Sequence, residues 1–92
     1  GAIIHAGSLT SATFNNCVFH DNSEFGIFGS SKATIHLHGE ATAIHSNKEC
    51  GIFAMGSNAK VILHLPSHHN TSYNNGGDRW TSTGGTITNV ED

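Results

Sequence analysis

The segment HDNSEFGIF at residues 20–28 returns as HSNKECGIF at residues 45–53, and this repetition decides how the chain folds. The two copies are 25 residues apart, and a weaker third copy, HNTSYNNGG, follows at residues 69–77. A second register joins SKATIHL at residues 31–37 to SNAKVIL at residues 57–63 at an offset of 26. Repeats of this length indicate one small structural unit stacked on itself.

Apolar residues alternate with other residues over very short runs inside each unit, as at residues 17–19, 26–28 and 35–37. This period of two predicts strands of about three to five residues, and no window keeps the spacing that an amphipathic helix needs. Asn- and Gly-rich corners separate the strands. Three strands in each unit of about 25 residues predict an all-β fold, a right-handed parallel β-helix (a solenoid) of three to four coils.

Vertical stacking fixes which residues meet. Parallel strands lie about 4.8 Å apart, so residues one repeat apart are expected to lie above one another. Apolar pairs then form a buried seam, asparagines form amide ladders at corners, and glycines mark places where a Cβ would collide. The predicted structural pairs are Phe19 with Ile44, Ile27 with Ile52, Asn22 with Asn47, and Gly26 with Gly51.

Three motifs carry a family resemblance: Asn-Cys-x-Phe at residues 16–19, Asn-x-x-Phe-Gly-Ile at residues 22–27 and Gly-Gly-Thr-Ile-Thr at residues 84–88. They resemble the right-handed parallel β-helix repeats of the pectate-lyase-like superfold. More narrowly, residues 64–74 and 84–90 resemble the last coil of repeat proteins from algae and other microbial eukaryotes. The resemblance implies the fold and no single activity, because this superfold hosts lyases, hydrolases, adhesins and inert spacers.

One β-helix segment is predicted over residues 1–92. Residues 1–65 form its regular coils, residues 66–80 an irregular C-terminal loop or lid, and residues 81–92 a closing strand and tail. With an apolar fraction of 36%, so thin a core is expected to need more coils. The segment is therefore interpreted as a fragment of a longer solenoid, with another β-helix segment or subunit stacked at its open N-terminal end.

Composition excludes several classes of partner. The four basic residues are scattered, which argues against nucleic acid, and the apolar runs are too short for membrane insertion. No cofactor is expected. The compartment stays open, with an extracellular or cell-surface location favoured over others. Cys17 and Cys50 both lie in apolar, strand-like surroundings, which favours free buried thiols over a disulfide.

Eight histidines are the most unusual feature of the sequence. His20, His45 and His69 share one repeat position and predict an exposed ladder that is a candidate binding surface. His36 and His38 place two rings on the outward face of one strand. The favoured interpretation is that these polar rings pack on their copies in the next coil, and zinc or copper binding is the alternative.

The leading functional hypothesis is a non-catalytic structural or interaction module that stacks through its ends and its flat polar face. The competing hypothesis is a polysaccharide-binding or polysaccharide-cleaving fragment. Cleavage would need carboxylates across a cleft or opposite a basic residue. Glu24 and Glu49 are the candidate carboxylates and Arg79 is the candidate base, although the Asn-Asp, Asp-Asp, Gly-His-Gly and Arg-x-Lys blocks of polygalacturonase-like enzymes are missing. Tyr73 and Trp80 would form a sugar-stacking platform in that case, and otherwise a closing lid, which is favoured.

Overall fold

The computed structural model describes residues 10–30, 32–65 and 71–90, and these residues contain ten β-strands and no helix. The strands are β1 (Thr10–Asn15), β2 (Val18–His20), β3 (Phe25–Ser30), β4 (Ala33–His38), β5 (Ala43–His45), β6 (Cys50–Met55), β7 (Lys60–His64), β8 (Ser72–Tyr73), β9 (Arg79–Ser82) and β10 (Thr86–Asn89). Across these described ranges, no helix is long and apolar enough to cross a membrane.

Each of the strands β1 to β7 pairs with the third strand after it. The strands form three sheets, in the orders β1-β4-β7-β10, β2-β5-β8 and β3-β6-β9, and all pairings are parallel. Three consecutive strands, one from each sheet, therefore make up one layer, and successive layers lie on one another through main-chain hydrogen bonds. The prediction of an all-β chain built from parallel strands is confirmed.

The core is a seam of aliphatic side chains at matching positions of successive layers. Phe19 pairs with Ile44, and Ile27 pairs with Ile52, as the 25-residue repeat predicts. These side chains are buried in one cluster with residues of β4 and β7. Each such side chain contributes about 1.5–3 kcal/mol when fully buried, so the seam holds the three sheets together.

Asparagines bridge the layers at the corner between the second and third sheets. The side-chain N–H of Asn22 donates to the side-chain oxygen of Asn47 at 2.7 Å, and the side-chain N–H of Asn47 donates to the side-chain oxygen of Asn75 at 2.8 Å. Asn47 is only 2% exposed and also donates to the carbonyl of Phe19 at 3.3 Å. The predicted pair of Asn22 and Asn47 is thus confirmed, and Asn75 extends it to a third layer.

Gly26 and Gly51 pack too tightly for any side chain. A Cβ on Gly26 would lie 2.5 Å from the side chain of Ile44 and 2.8 Å from the carbonyl oxygen of Gly51. A Cβ on Gly51 would lie 2.3 Å from the hydroxyl of Ser72. Both glycines therefore sit where the corner passes against the next layer, as the sequence predicts.

The third repeat differs from the sequence prediction. Residues 66–70 lie outside the described residues, but residues 71–80, expected to be irregular, contain β8 and the beginning of β9, which pair with β5 and β6. His45 pairs with Tyr73 rather than with a histidine. The offset here is 28 residues, because the connection between β7 and β8 is longer than the one between β4 and β5. The predicted loop or lid over residues 71–80 is corrected accordingly.

We expect Asn47→Ala to lower the free energy of unfolding by at least about 2 kcal/mol, since it leaves the amide groups of Asn22 and Asn75 without their partner. Urea unfolding followed by circular dichroism measures the change. Asn58→Ala, at an exposed turn position, is the matched control and is expected to stay within about 0.5 kcal/mol of the parent chain. Equal stability of the two variants would contradict a stabilising role for the amide column.

Candidate functional site

Strand β4 places His36 and His38 on its outward face because the alternating residues Ile35 and Leu37 point into the core and are fully buried. Both histidines are half-buried. His64, at the end of β7, lies in register with His38 on the neighbouring strand and is also half-buried. The backbone alternation of two adjacent strands thus brings three imidazoles to one outward face.

The ring of His64 contacts both of the other rings, whose own centroids are 6.4 Å apart. The ring centroids of His38 and His64 are 4.0 Å apart with an interplanar angle of 10°, and those of His36 and His64 are 5.2 Å apart. Nδ1 of His36 and Nε2 of His64 are hydrogen-bonded at 2.9 Å. One ring nitrogen from each histidine can be chosen so that the three lie within 4.8 Å of one another. We call these three residues the histidine cluster.

The rest of this face is weakly charged. Thr13 and Asn15 of β1 are in register with His36 and His38, and Ile62 of β7 is in register with His36. Lys60 is the one residue with a permanently charged side chain among the described outward positions of β1, β4, β7 and β10. Within the described ranges, no carboxylate joins the three histidines in the group of closely spaced donor atoms.

His64 is the residue that the sequence interpretation missed, although the signal was present. The offset of 26 that joins residues 31–37 to residues 57–63 places His38 on His64 when it is extended by one residue. The predicted pair of His36 and His38 therefore has a third neighbour in the next layer.

The predicted histidine ladder exists in a modified form. His20 stacks on His45, and His45 stacks on Tyr73, with centroid distances of 5.2 Å for both pairs and interplanar angles of 9° and 8°. The imidazole of His20 also contacts the carboxylate of Asp21. Tyr73 takes the third place in this column, and His69 lies outside the described residues.

A second aromatic column runs along the third sheet. Phe28 stacks on Phe53 at 5.1 Å, and Phe53 stacks on Trp80 at 4.6 Å, with nearly parallel rings in both pairs. Trp80 is 57% exposed. Tyr73 and Trp80 therefore belong to different sheets and to different columns, so the structure does not stack them together as one platform.

The candidate catalytic residues lie in neighbouring layers. The main-chain N–H of Glu49 donates to the carbonyl of Glu24 at 2.9 Å, and both glutamates are exposed just before a strand of the third sheet. Arg79 opens β9, is exposed, and is in register with Ile52. The structure thus brings the two glutamates together at one corner, while their catalytic role stays a prediction.

Both cysteines are free thiols. Cys50 is buried, and its S–H donates to the carbonyl of Ile52 at 3.0 Å. Burial raises the pKa of the Cys50 thiol, because the thiolate loses its hydration there. Cys17 is half-buried and donates to the carbonyl of Asn15 at 3.3 Å.

We expect Cys17 to react with a thiol reagent such as dithiobis-nitrobenzoate at least about ten times faster than Cys50 at pH 8, since the thiolate is the reactive form and Cys50 stays protonated and covered. Time courses of the Cys17→Ser and Cys50→Ser variants separate the two thiols. In 8 M urea both are expected to react at similar rates. Equally fast labelling of the folded variants would show that Cys50 is accessible.

Comparisons with protein-family models, with curated proteins and with solved structures find no match to this chain.

Proposed function

We propose that the chain is a segment of right-handed parallel β-helix that acts as a non-catalytic structural or interaction module. The three parallel sheets support this architecture, because each set of three consecutive strands contributes one strand to every sheet. Crossovers between parallel strands are right-handed in nearly all proteins, which is the basis for the proposed hand. The likeness to repeats of the pectate-lyase-like superfold belongs to the same proposal.

The observation that carries the proposal is the burial profile of the seam. Inward side chains of the middle strands, such as Ile35 and Val61, are completely buried. Ile87, which pairs with Val61 from the outer strand β10, is only partly buried although it packs on the same cluster. A further layer would cover it, because each layer of this structure covers the one before it.

The edge formed by β8, β9 and β10 has the properties of a stacking surface. Edge strands of a sheet take up additional strands through their main-chain groups. Here Trp80 extends the aromatic column with a largely exposed ring, and Val90 beside β10 is 44% exposed. A second copy of this chain, offering the strands of its own outer layer, is the partner that we propose for this edge. The stacking predicted at the N-terminal end involves residues outside the described ranges.

Self-association tests the proposal. We expect sedimentation velocity to show oligomers that increase with concentration, and Trp80→Lys to weaken the association at least about tenfold, since it places a charge in the stacking surface. Met55→Lys is the matched control, because Met55 is 38% exposed on β6, a strand that is already paired on both sides. It is expected to associate like the parent chain.

The tryptophan itself gives a second readout that needs no variant. The chain has one tryptophan, so quenching of its fluorescence by iodide reports on this edge alone. We expect quenching to fall as the protein concentration rises. A chain that stays monomeric at millimolar concentration with unchanged quenching would overturn the proposal of self-stacking.

Polysaccharide cleavage is the competing function, and it has a direct assay. We expect no new double bonds or reducing ends when the chain is incubated with uronate polymers. Product that appears with the parent chain and disappears in Glu49→Gln or Arg79→Ala would reverse the proposal. Glu40→Gln, which changes another exposed carboxylate, is the control that separates a catalytic loss from a general change of charge.

A further inference from the structure

We propose that the histidine cluster of His36, His38 and His64 binds one divalent transition-metal ion, with Zn²⁺ as the reference ion. Three imidazole nitrogens and a water molecule would complete a four-coordinate site. This inference goes beyond the structural role proposed above and does not depend on it, since it uses only residues within one chain.

The donor set selects the class of ion. Neutral imidazole suits Zn²⁺, Cu²⁺ and Ni²⁺, whereas Ca²⁺ and Mg²⁺ require oxygen ligands. The close group of donors in the described residues contains three histidines and no carboxylate. Three histidines with an open fourth position are also the ligand set of one class of zinc sites. Hard cations are therefore not expected to compete at millimolar concentration.

The spacing of the donor nitrogens is close to that of a tetrahedral site. With Zn–N bonds of 2.0–2.1 Å, the nitrogens of a tetrahedral site lie about 3.3 Å apart. Nδ1 of His36 and Nε2 of His64 are already 2.9 Å apart, and the widest separation in the cluster is within 4.8 Å. The His38 ring has to turn out of its stack on His64 so that its nitrogen meets the other two.

Metal binding also requires a tautomer change. The hydrogen bond between the rings of His36 and His64 holds one proton between the two nitrogens. That proton must move to the other nitrogen of its own ring or to solvent, so that both lone pairs face the ion. Because an imidazole must be neutral to bind a metal ion, metal affinity is expected to fall when the solution is acidified. Lys60 is the charged side chain on this face in the part of the chain that the structure describes, and its positive charge opposes the binding of a cation.

The backbone holds the ligands before an ion arrives. His36 and His38 are fixed to one strand by the buried residues Ile35 and Leu37 between and beside them. His64 is fixed by its register on the neighbouring strand. Little conformational entropy has to be lost on binding. The half-buried rings leave one side of the site open to solvent, where the water ligand would be placed.

The second histidine column lacks these features and provides the control. His20 and His45 stack at 5.2 Å, but the third ring of their column belongs to Tyr73. His20 is also engaged by Asp21. A variant at His45 removes one histidine from the chain without touching the histidine cluster.

A Zn²⁺ titration against a chromophoric chelator tests the site. We expect one high-affinity ion per chain, and His64→Gln to weaken it at least about 100-fold, since a direct ligand is lost. His45→Gln is expected to leave the affinity unchanged. Circular dichroism and thermal melts without metal establish that each variant is folded, and Zn²⁺ should raise the midpoint of the parent chain and of His45→Gln only.

Spectroscopy gives a readout that does not depend on a variant. Co²⁺ in place of Zn²⁺ is expected to show the intense visible absorption of a four-coordinate site, and the band should weaken reversibly when the solution is acidified. The proposal is overturned if the parent chain shows no saturable binding, if His45→Gln lowers the affinity as much as His64→Gln, or if Co²⁺ gives only the weak spectrum of a six-coordinate ion.

Discussion

Parallel pairing between residues one repeat apart is the constraint on which the rest of this structure depends. A strand in one layer can pair with its copy in the next only if the corners bring both back to the same position. Once that holds, like residues lie next to like residues. Ile27 meets Ile52 inside the seam, Phe28 meets Phe53 on the third sheet, and His20 meets His45 on the second. The buried seam and the ring columns are therefore consequences of one register rather than separate features.

The corner before the third sheet shows how the register is kept. Asp21, Ser46 and Asn74 occupy equivalent places and all have left-handed backbone angles, with φ of 56°, 57° and 54°. An asparagine of the amide column follows each of them, at positions 22, 47 and 75. The left-handed residue reverses the chain, and Asp and Asn adopt that conformation more readily than most side chains. The following amide then satisfies main-chain groups that the turn leaves without a strand partner. Backbone geometry as well as side-chain contacts therefore limits which residues can replace the left-handed residue and the asparagine that follows it.

The sequence alone predicts the pairs of residues that recur at a constant offset, and it does not predict the pairs in the layer where the offset changes. The all-β parallel fold and the apolar and asparagine pairs follow from the 25-residue offset, because identical or similar residues recur there. The third layer does not follow, since the longer connection before β8 shifts the register to 28 residues and places Tyr73 over His45. The contact of His64 with His36 and His38 depends on the orientation of the rings, which the offset between the repeats does not predict. An alignment extended from Leu63 by one residue would still have placed His64 beside His38.

Alternation along the strands places the residues that stabilise the core and the residues that could bind a ligand on opposite faces of each sheet. Residues 35 and 37 pack in the buried seam. Residues 36 and 38 face outward, so substituting them leaves no cavity in the core. The register that stacks aliphatic side chains inside therefore also stacks titratable rings outside, at 4.0 Å for His38 and His64. The same pairing brings Nδ1 of His36 to within 2.9 Å of Nε2 of His64. Imidazole binds a transition metal in its neutral form, and the regular stacking of this repeat brings together the donors of the proposed metal site without any change to the core.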